Sequence, residues 1–459
     1  MSKFLASILT VMAVTSSSAF AGDLRVADGR FVDSRGATVV LRGFNLSQLH
    51  KLPPFRANSD PLLFEKLTAS GVNVIRHQFN WEAYEQSPNV YDESYLDYYA
   101  NIVDRAAAAG VYVIIDIHQD AFSRWTLDGC GEGFPKWAIP QGTKLSEPDN
   151  GSKCWFWPLR VMANRSSIEA IFNKFYAEDY MPRERYMLLL EKLATRFAGY
   201  RNVIGYDLLN EPQGDATLLR QFYIDGIARV RRHDPQAIAF IEPEMLTASG
   251  LESTKLTNPM ISNLAFAPHY YDATIYASVW LGGRYEPTAA KNRALAKSWG
   301  AAVLLGEYGT PSFVLAPNYI EMIYNDMDKF GDSGTQWGYT PEWNPVTLDG
   351  WNAEDLSVVD DKGNYRNNYR ERPYARRTAG TYGTLTAQPS WFVFPATSSY
   401  SWTHNPSQGV TEIFVPKSFF YNRAPVVTTT GSVNCNFNGA KQVLRCGSSS
   451  AGVKKVTLK

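Results

Sequence analysis

The sequence predicts a (β/α)8 barrel followed by a small all-β sandwich, and three observations carry that prediction. Eight apolar segments of strand length alternate with amphipathic helical segments between residues 39 and 339. The strand segments are continuous apolar runs, as expected of parallel strands covered on both faces. Beyond residue 384 helical periodicity stops, and short β-type runs are separated by turn residues. Eight strand–helix units are the number that closes a barrel, and their span fits the usual size. A doubly wound open sheet is the alternative, but no Gly-x-Gly-x-x-Gly turn follows the first strand. The expected division is a leader over 1–21, a barrel over 22–383 and a sandwich over 384–459.

The elements follow in order. Residues 39–45 form the first strand. A helix over 60–70 carries Pro61 in its first turn and ends at Gly71. The second strand covers 72–79, and a helix over 95–109 ends at Gly110. The third strand, 111–117, runs into His118, Gln119 and Asp120. Residues 121–183, rich in Gly, Pro and Trp, read as a long irregular insertion. A helix over 185–197 leads to the fourth strand, which starts at Val203 and leaves the sheet as Asn210-Glu211-Pro212. A helix over 216–232, a strand over 237–242 and a strand over 264–271 come next. A helix over 289–299, capped by Thr288, precedes the seventh strand at 302–308. A helix over 319–330 and a strand over 334–339 complete the barrel. The sandwich strands are expected at 391–394, 411–415, 426–430, 443–446 and 453–458.

Bulk properties narrow the function. Lys+Arg and Asp+Glu each total 45, so the net charge is zero and nothing favours nucleic acid or an anionic surface as partner. No obligate protein partner is implied either. Residues 1–21 have the layout of a secretory signal: Lys3, an apolar core over 4–14, and Ala19-Phe20-Ala21 as a small-x-small cleavage site. That run is too short to span a membrane. The expectation is a secreted chain starting near Gly22. Four cysteines form two local pairs, Cys130 with Cys154 and Cys435 with Cys446, the simplest of three connectivities. Their spacing and the lack of nearby histidines argue against zinc.

In such a barrel the active site lies at the carboxyl ends of the strands. Polar residues recur there: Arg76, His118, Asp120, Asn210, Glu211, His269, Tyr271, Glu307 and, on the last strand, Trp337. Each has a bland reading as a satisfied core residue, but their shared end of the barrel does not. Two glutamates at two strand ends fit glycoside hydrolysis by paired carboxylates. Glu211 would protonate the leaving oxygen, and Glu307 would attack the anomeric carbon. Arg76 would keep Glu307 ionised. Asn210 is suited to a sugar 2-hydroxyl, His118, Asp120 and His269 to other hydroxyls, and Trp337 to a stacking face. Glu242 and Glu244, after the fifth strand, are competing carboxylates of lower rank. No metal or organic cofactor is implied.

Two motifs, Leu208-Leu209-Asn210-Glu211-Pro212 and Leu305-Gly306-Glu307-Tyr308-Gly309, resemble the acid and nucleophile motifs of family 5 glycoside hydrolases. Arg76, His118, His269, Tyr271 and Trp337 fall where that family has its remaining site residues. Within the family the chain is similar to the endoglycoceramidase group. The likeness lies in Leu41-Arg42-Gly43-Phe44-Asn45, in residues 116–124 and in Arg372-Pro373-Tyr374, and that group also carries a C-terminal β-sandwich. The resemblance implies cleavage between the glycan and the ceramide of a glycosphingolipid, with transient contact with membranes or micelles. It also implies that Lys51 helps hold the sugar. The motifs do not separate glucosyl, galactosyl and sterol-linked substrates. A ceramide needs an apolar groove, for which Trp125, Phe134, Trp137, Trp155, Phe156 and Trp157 in the insertion and Phe313, Val314 and Leu315 after the seventh strand are candidates. Rival readings are a family 5 endo-glycanase acting on a β-linked polysaccharide and a non-catalytic glycolipid-binding barrel.

Overall fold

A computed structural model describes residues 24–275, 282–390 and 394–459. The expected leader over 1–21 and most of the expected strand at 391–394 lie outside the described residues. Eight parallel strands close into a barrel: β1 (Arg42–Leu46), β2 (Val74–Asn80), β3 (Tyr112–His118), β4 (Val203–Asp207), β5 (Ile238–Ile241), β6 (Leu264–Phe266), β7 (Ala302–Leu305) and β8 (Ser333–Tyr339). β8 pairs back onto β1, which rules out the open sheet. Gly43 is needed where β1 meets β2, because a Cβ there would sit 1.7 Å from the Val74 carbonyl oxygen.

Alternation along each strand explains where charge can go. At the amino end the interior is apolar, with Val74, Ile114, Ile204, Ile238, Phe240 and Leu304 in one cluster that Leu24 and Phe31 join. Two residues further along, the same inward face carries Arg76, Asp116 and Glu242. The outward residues, such as Ile75, Phe79, Ile115 and Tyr206, pack under the helices.

The helices are α1 (Leu63–Ala69), α2 (Glu93–Ala109), α3 (Trp157–Ala163), α4 (Arg165–Tyr176), α5 (Met181–Phe197), α6 (Ala216–Val230), α7 (Tyr285–Trp299) and α8 (Ala316–Phe330). Three expectations need correction. The irregular insertion contains α3, α4 and the first turn of α5, because its many aromatics mask an amphipathic period. Pro61 lies in the turn before α1, not inside it. Thr288 is within α7, whose cap is Arg284. The sixth and seventh strands each break, at Ala267-Pro268 and at Gly306, and resume as a short parallel pair matching His269 to Glu307 and Tyr270 to Tyr308.

The expected first strand also divides. Thr38–Val39 belongs to the sandwich, and the barrel strand starts at Arg42. The sandwich comprises β9 (Tyr374–Thr378), β10 (Gly380–Gln388), β11 (Thr397–His404), β12 (Thr411–Phe414), β13 (Val427–Thr430), β14 (Asn434–Asn438), β15 (Val443–Gly447) and β16 (Gly452–Leu458). Its first sheet takes β9, β12, β15 and β14 together with three short strands from Arg25–Ala27, Arg30–Val32 and Thr38–Val39. Its second takes β10, β11, β16 and β13. The expected boundary at 384 falls inside β10, because Arg376 and Arg377 disguise β9 as a polar connection. β11 escaped notice because its outer face is Ser and Thr, although Tyr400 and Trp402 are buried.

The sandwich is anchored on the barrel. Asp328 of α8 receives Arg42 at 3.0 Å and Arg372 at 2.8 Å, and the Tyr374 hydroxyl donates to the Gly71 carbonyl at 2.6 Å. Two of the family-like stretches thus serve the joint between the domains. Both disulfides, Cys130–Cys154 and Cys435–Cys446, follow the local pairing.

Candidate active site

Arg76 organises the strand-end chemistry. It is fully buried on β2, and its guanidinium meets Asp116 on β3 (2.9 Å), Asp207 on β4 (2.9 Å), Glu242 after β5 (2.8 Å) and Glu307 after β7 (2.8 Å). It also donates to Asn45 at 2.9 Å and Asn210 at 2.8 Å. Burial works against its charge, but these four carboxylates outweigh burial and hold its pKa well above the usual value. Burial dominates for Asp116, which is pushed up to about 6.

The two glutamates converge on one imidazole. His269 Nδ1 lies 3.0 Å from Glu211 Oε1 and 3.5 Å from Glu307 Oε2, and its Nε2 lies 3.2 Å from Glu242. Burial lowers the His269 pKa, yet Glu242, Glu307 and Glu211 together raise it well above normal. Gly306 leaves room for this ring, since a Cβ there would stand 3.0 Å from Nε2. Both Glu307 oxygens are engaged: Arg76 Nη1 donates to Oε1 at 2.8 Å, and the Tyr271 hydroxyl donates to Oε2 at 2.9 Å. Glu211 is held through its backbone. Its N–H donates to Glu242 Oε2 at 2.8 Å, its carbonyl accepts from Gln119 at 3.2 Å, and its φ is +38°. A left-handed glutamate costs on the order of 1–3 kcal/mol and persists only where surroundings enforce it, as at active sites.

A second polar group lies beside this pair. Lys51 pairs with Asp120, and its Nζ sits 4.4 Å from the Trp337 ring centre and 3.8 Å from that of Trp351. Burial opposes its charge, but Asp120, Glu354, Glu132 and Glu307 raise its pKa. His118 Nδ1 lies 2.6 Å from Asp116, which directs Nε2 toward Asp120 (3.8 Å) and Glu132 (3.7 Å). Burial, then Lys51, lowers the His118 pKa well below normal.

These groups form the floor of a cleft of about 890 Å³, counting its open mouth. Lys51, Asp120, Glu211, Tyr271, Glu307 and Trp337 line it, with Glu354 from the loop after β8. One wall is apolar: Phe156, Trp157, Leu159 and Met162 from the insertion face Met245, Leu246 and Leu251 from the loop after β5. Trp155 stacks on Phe156 and is 56% exposed. Phe134 and Trp137 pack on Trp81 instead, and neither lines the cleft. Val314 is exposed but also lies off the cleft.

Every expected site residue comes to this end of the barrel, but several have partners that redefine them. Arg76, His118, Asn210 and His269 stand behind the lining residues. Asn210 gives its Oδ1 to Arg76 and one amide hydrogen to the Gln119 carbonyl, so one N–H remains for a ligand. The open stacking face expected of Trp337 is reduced, because His118 stacks on it at 5.4 Å and Lys51 lies over it. Glu242 acts as a brace for Arg76, His269 and Glu211, and Glu244 turns away to Thr254 and Lys255. Sequence reasoning missed Glu132, Trp351 and Glu354, which lie in irregular loops without period, and Leu159 and Met162 on the unforeseen α3. Among the described residues, two clusters bring donor atoms within 4.8 Å: His118, Asp120 and Glu132, and Glu211, His269 and Glu307. In each a protein cation already meets the charge, Lys51 in the first and Arg76 in the second.

The family model described as cellulase (glycosyl hydrolase family 5) matches residues 32–342, and that of the glycoside hydrolase family 5 C-terminal domain matches residues 372–459. Endoglycoceramidase I of Rhodococcus hoagii is 28% identical over 280 residues, covering 56% of this chain and 54% of that protein. A glucosylceramidase of Rhizopus delemar is 31% identical over 239 residues, covering 40% of this chain and 34% of that protein. The chain spans about half the length, or less, of the curated relatives it matches. The solved endo-glycoceramidase II from Rhodococcus sp. in complex with ganglioside GM3 has the same fold, with a TM-score of 0.76 and 22% identity over 93% of this chain and 99% of that chain.

Proposed function

The chain belongs to glycosyl hydrolase family 5, and from that premise we propose that it is a retaining glycosidase cleaving the β-bond between the sugar and the ceramide of a glycosphingolipid. One observation carries the reading. Glu211 and Glu307 stand 3.0 and 3.5 Å from the same imidazole nitrogen, at the floor of a cleft with an apolar wall. That convergence suits the roughly 5–5.5 Å carboxyl separation of retaining enzymes.

The Glu307 carboxylate, held by Arg76 and Tyr271, attacks the anomeric carbon. As the glycosidic C–O bond breaks, Glu211 gives its proton to the departing ceramide oxygen. Water then enters, Glu211 takes its proton, and the hydroxide displaces Glu307 from the anomeric carbon. Glu211 must begin this cycle protonated, and the braced Glu242 and His269 keep its carboxyl aimed. The remaining Asn210 N–H serves the 2-hydroxyl, and His118 Nε2, Asp120 and Lys51 serve others. The apolar wall takes the ceramide, and contact with micelles or a membrane surface delivers it. Similarity to proteins named endoglycoceramidase and glucosylceramidase supports the lipid aglycone. We further propose that the enzyme is secreted, a reading supported by the signal-like leader and two disulfides.

The test is an incubation with glycosylceramides and with a soluble β-glucan. Ceramide release with no glucan cleavage is expected, and glucan cleavage without ceramide supports the endo-glycanase instead. NMR of the first sugar anomer released should show retention; an inverted first product sinks the two-step mechanism.

A further inference from the structure

The polar end of the cleft is blind. There Lys51 lies over the Trp337 and Trp351 rings, and the Trp351 indole has no exposed surface. Three chain segments seal this end. Gln48, before Lys51, donates to Asp349 at 3.1 Å. Asn352, also without exposed surface, donates from its backbone to the Asn150 carbonyl at 2.7 Å and from its side chain to the Cys130 carbonyl at 2.9 Å. Trp157 packs on Trp351 with ring centres 5.4 Å apart and donates from Nε1 to Glu354 Oε1 at 2.6 Å. The Cys130–Cys154 bridge ties together the two insertion segments of this seal. Elsewhere the cleft is open: Leu159, Met162 and Leu251 line it and are half exposed or more.

We propose that this seal limits the sugar side to a single residue, so that the preferred substrates are lipids carrying one sugar and not those carrying an extended glycan. The proposal rests on the glycosphingolipid reading and narrows it. A second sugar on the non-reducing side would have to occupy the place of Lys51 and Trp351. Moving them breaks the Lys51–Asp120 pair and exposes the buried bonds of Asn352, an expensive rearrangement in a packed interior. Lys51 and Asp120, with Glu354 beside them, then become the groups that close around the far hydroxyls of that one sugar, the first two by charge-assisted hydrogen bonds.

The experiment compares kcat/KM of the full chain on glucosylceramide, galactosylceramide and lactosylceramide in detergent micelles. In parallel it compares a soluble aryl β-glucoside and β-galactoside with the aryl β-lactoside. Free monosaccharide with ceramide is expected from a monoglycosylceramide, with both lactosyl substrates ~100-fold or more poorer. Lactose release within ~10-fold of the better monosaccharide substrate overturns the proposal. Absence of ceramide from every lipid overturns the glycosphingolipid reading alone, because the aryl pair still measures the pocket. Trp351→Ala should then raise the lactoside-to-monoglycoside ratio by ~10-fold or more, and an unchanged ratio in a variant that still cleaves the aryl monoglycoside counts against the seal. The wild-type comparison stands even if that variant does not fold.

Discussion

At the floor of the cleft nearly every charge has a partner: Arg76 with its four carboxylates, Glu307 with Arg76 and Tyr271, and Lys51 with Asp120. At the lip Trp155, Leu159, Met162 and Leu251 leave half or more of their surface in solvent. The floor is built on strand ends, where the barrel fixes each side chain in advance, as electrostatic catalysis requires. The lip is built on an inserted helix and a loop, and among the described residues it leaves apolar area exposed to solvent. Chemistry and the choice of a lipid aglycone are thus assigned to different parts of the molecule. If so, damage to the floor should reduce turnover of every substrate, and damage to the lip should reduce only that of lipids.

The largest effects are expected at the glutamate pair. Glu307→Gln should lower kcat by ~10⁴-fold or more on lipid and soluble substrates alike, because the covalent step is lost. Glu211→Gln should lower kcat/KM by ~10²–10⁴-fold on a glycosylceramide. It should cost far less on a dinitrophenyl glycoside, whose leaving group departs without a proton. Equal losses on both substrates would remove Glu211 from the role of acid.

Next in size is the hub. Arg76→Met leaves Asp116, Asp207, Glu242 and Glu307 without their shared cation. Loss of one partner from a buried ion network costs about 3–5 kcal/mol. Denaturant unfolding should show a loss of that order, with activity falling on all substrates. A variant of wild-type stability would mean that the carboxylates take up protons at little cost, and the floor would be less preorganised than its bonds imply.

The same division explains what the sequence could reveal. Strand ends are legible because period-two alternation and apolar runs locate them, and Glu211 and Glu307 follow wherever the run ends in a carboxylate. Arg76 stands out as a charge inside an apolar run. Trp351, Asn352 and Glu354 are not legible, because they lie in a loop whose conformation comes from long-range bonds to Asn150, Cys130 and Trp157. Leu159 and Met162 were hidden with α3, a seven-residue helix whose pattern is too short to separate from the surrounding tryptophans. The sandwich showed its class but not its edge, since three of its strands come from the amino-terminal end of the chain.

The lip offers a smaller and more selective test. Fully burying a Leu or Met side chain is worth about 1.5–3 kcal/mol, and these two are already half covered. The double change Leu159→Ser and Met162→Ser should therefore raise KM for micellar glycosylceramide by ~10-fold. KM for a soluble aryl glycoside should not move, and the melting temperature should change little. A parallel rise on both substrates would show that α3 shapes the sugar side as well, and the two regions would no longer be separable.

The smallest effect is expected where the regions touch. Glu354 lines the cleft beside Lys51 and accepts from Trp157 of the insertion. Burial pushes its pKa up to about 7, with Lys51 and the Trp157 bond pulling the other way. In the unfolded chain the carboxyl ionises near its ordinary value of 4.5. Between that value and about 7 the folded protein holds a proton that the unfolded chain has lost, so stability falls as pH rises through this window and levels off above it. Glu354→Gln keeps an oxygen for Trp157 but cannot titrate. Its unfolding free energy should gain on the wild type from about pH 5 to pH 7 and run parallel to it beyond. Parallel curves over the whole range would mean that solvent reaches this carboxyl freely, and the seal between floor and lip would be open at that point.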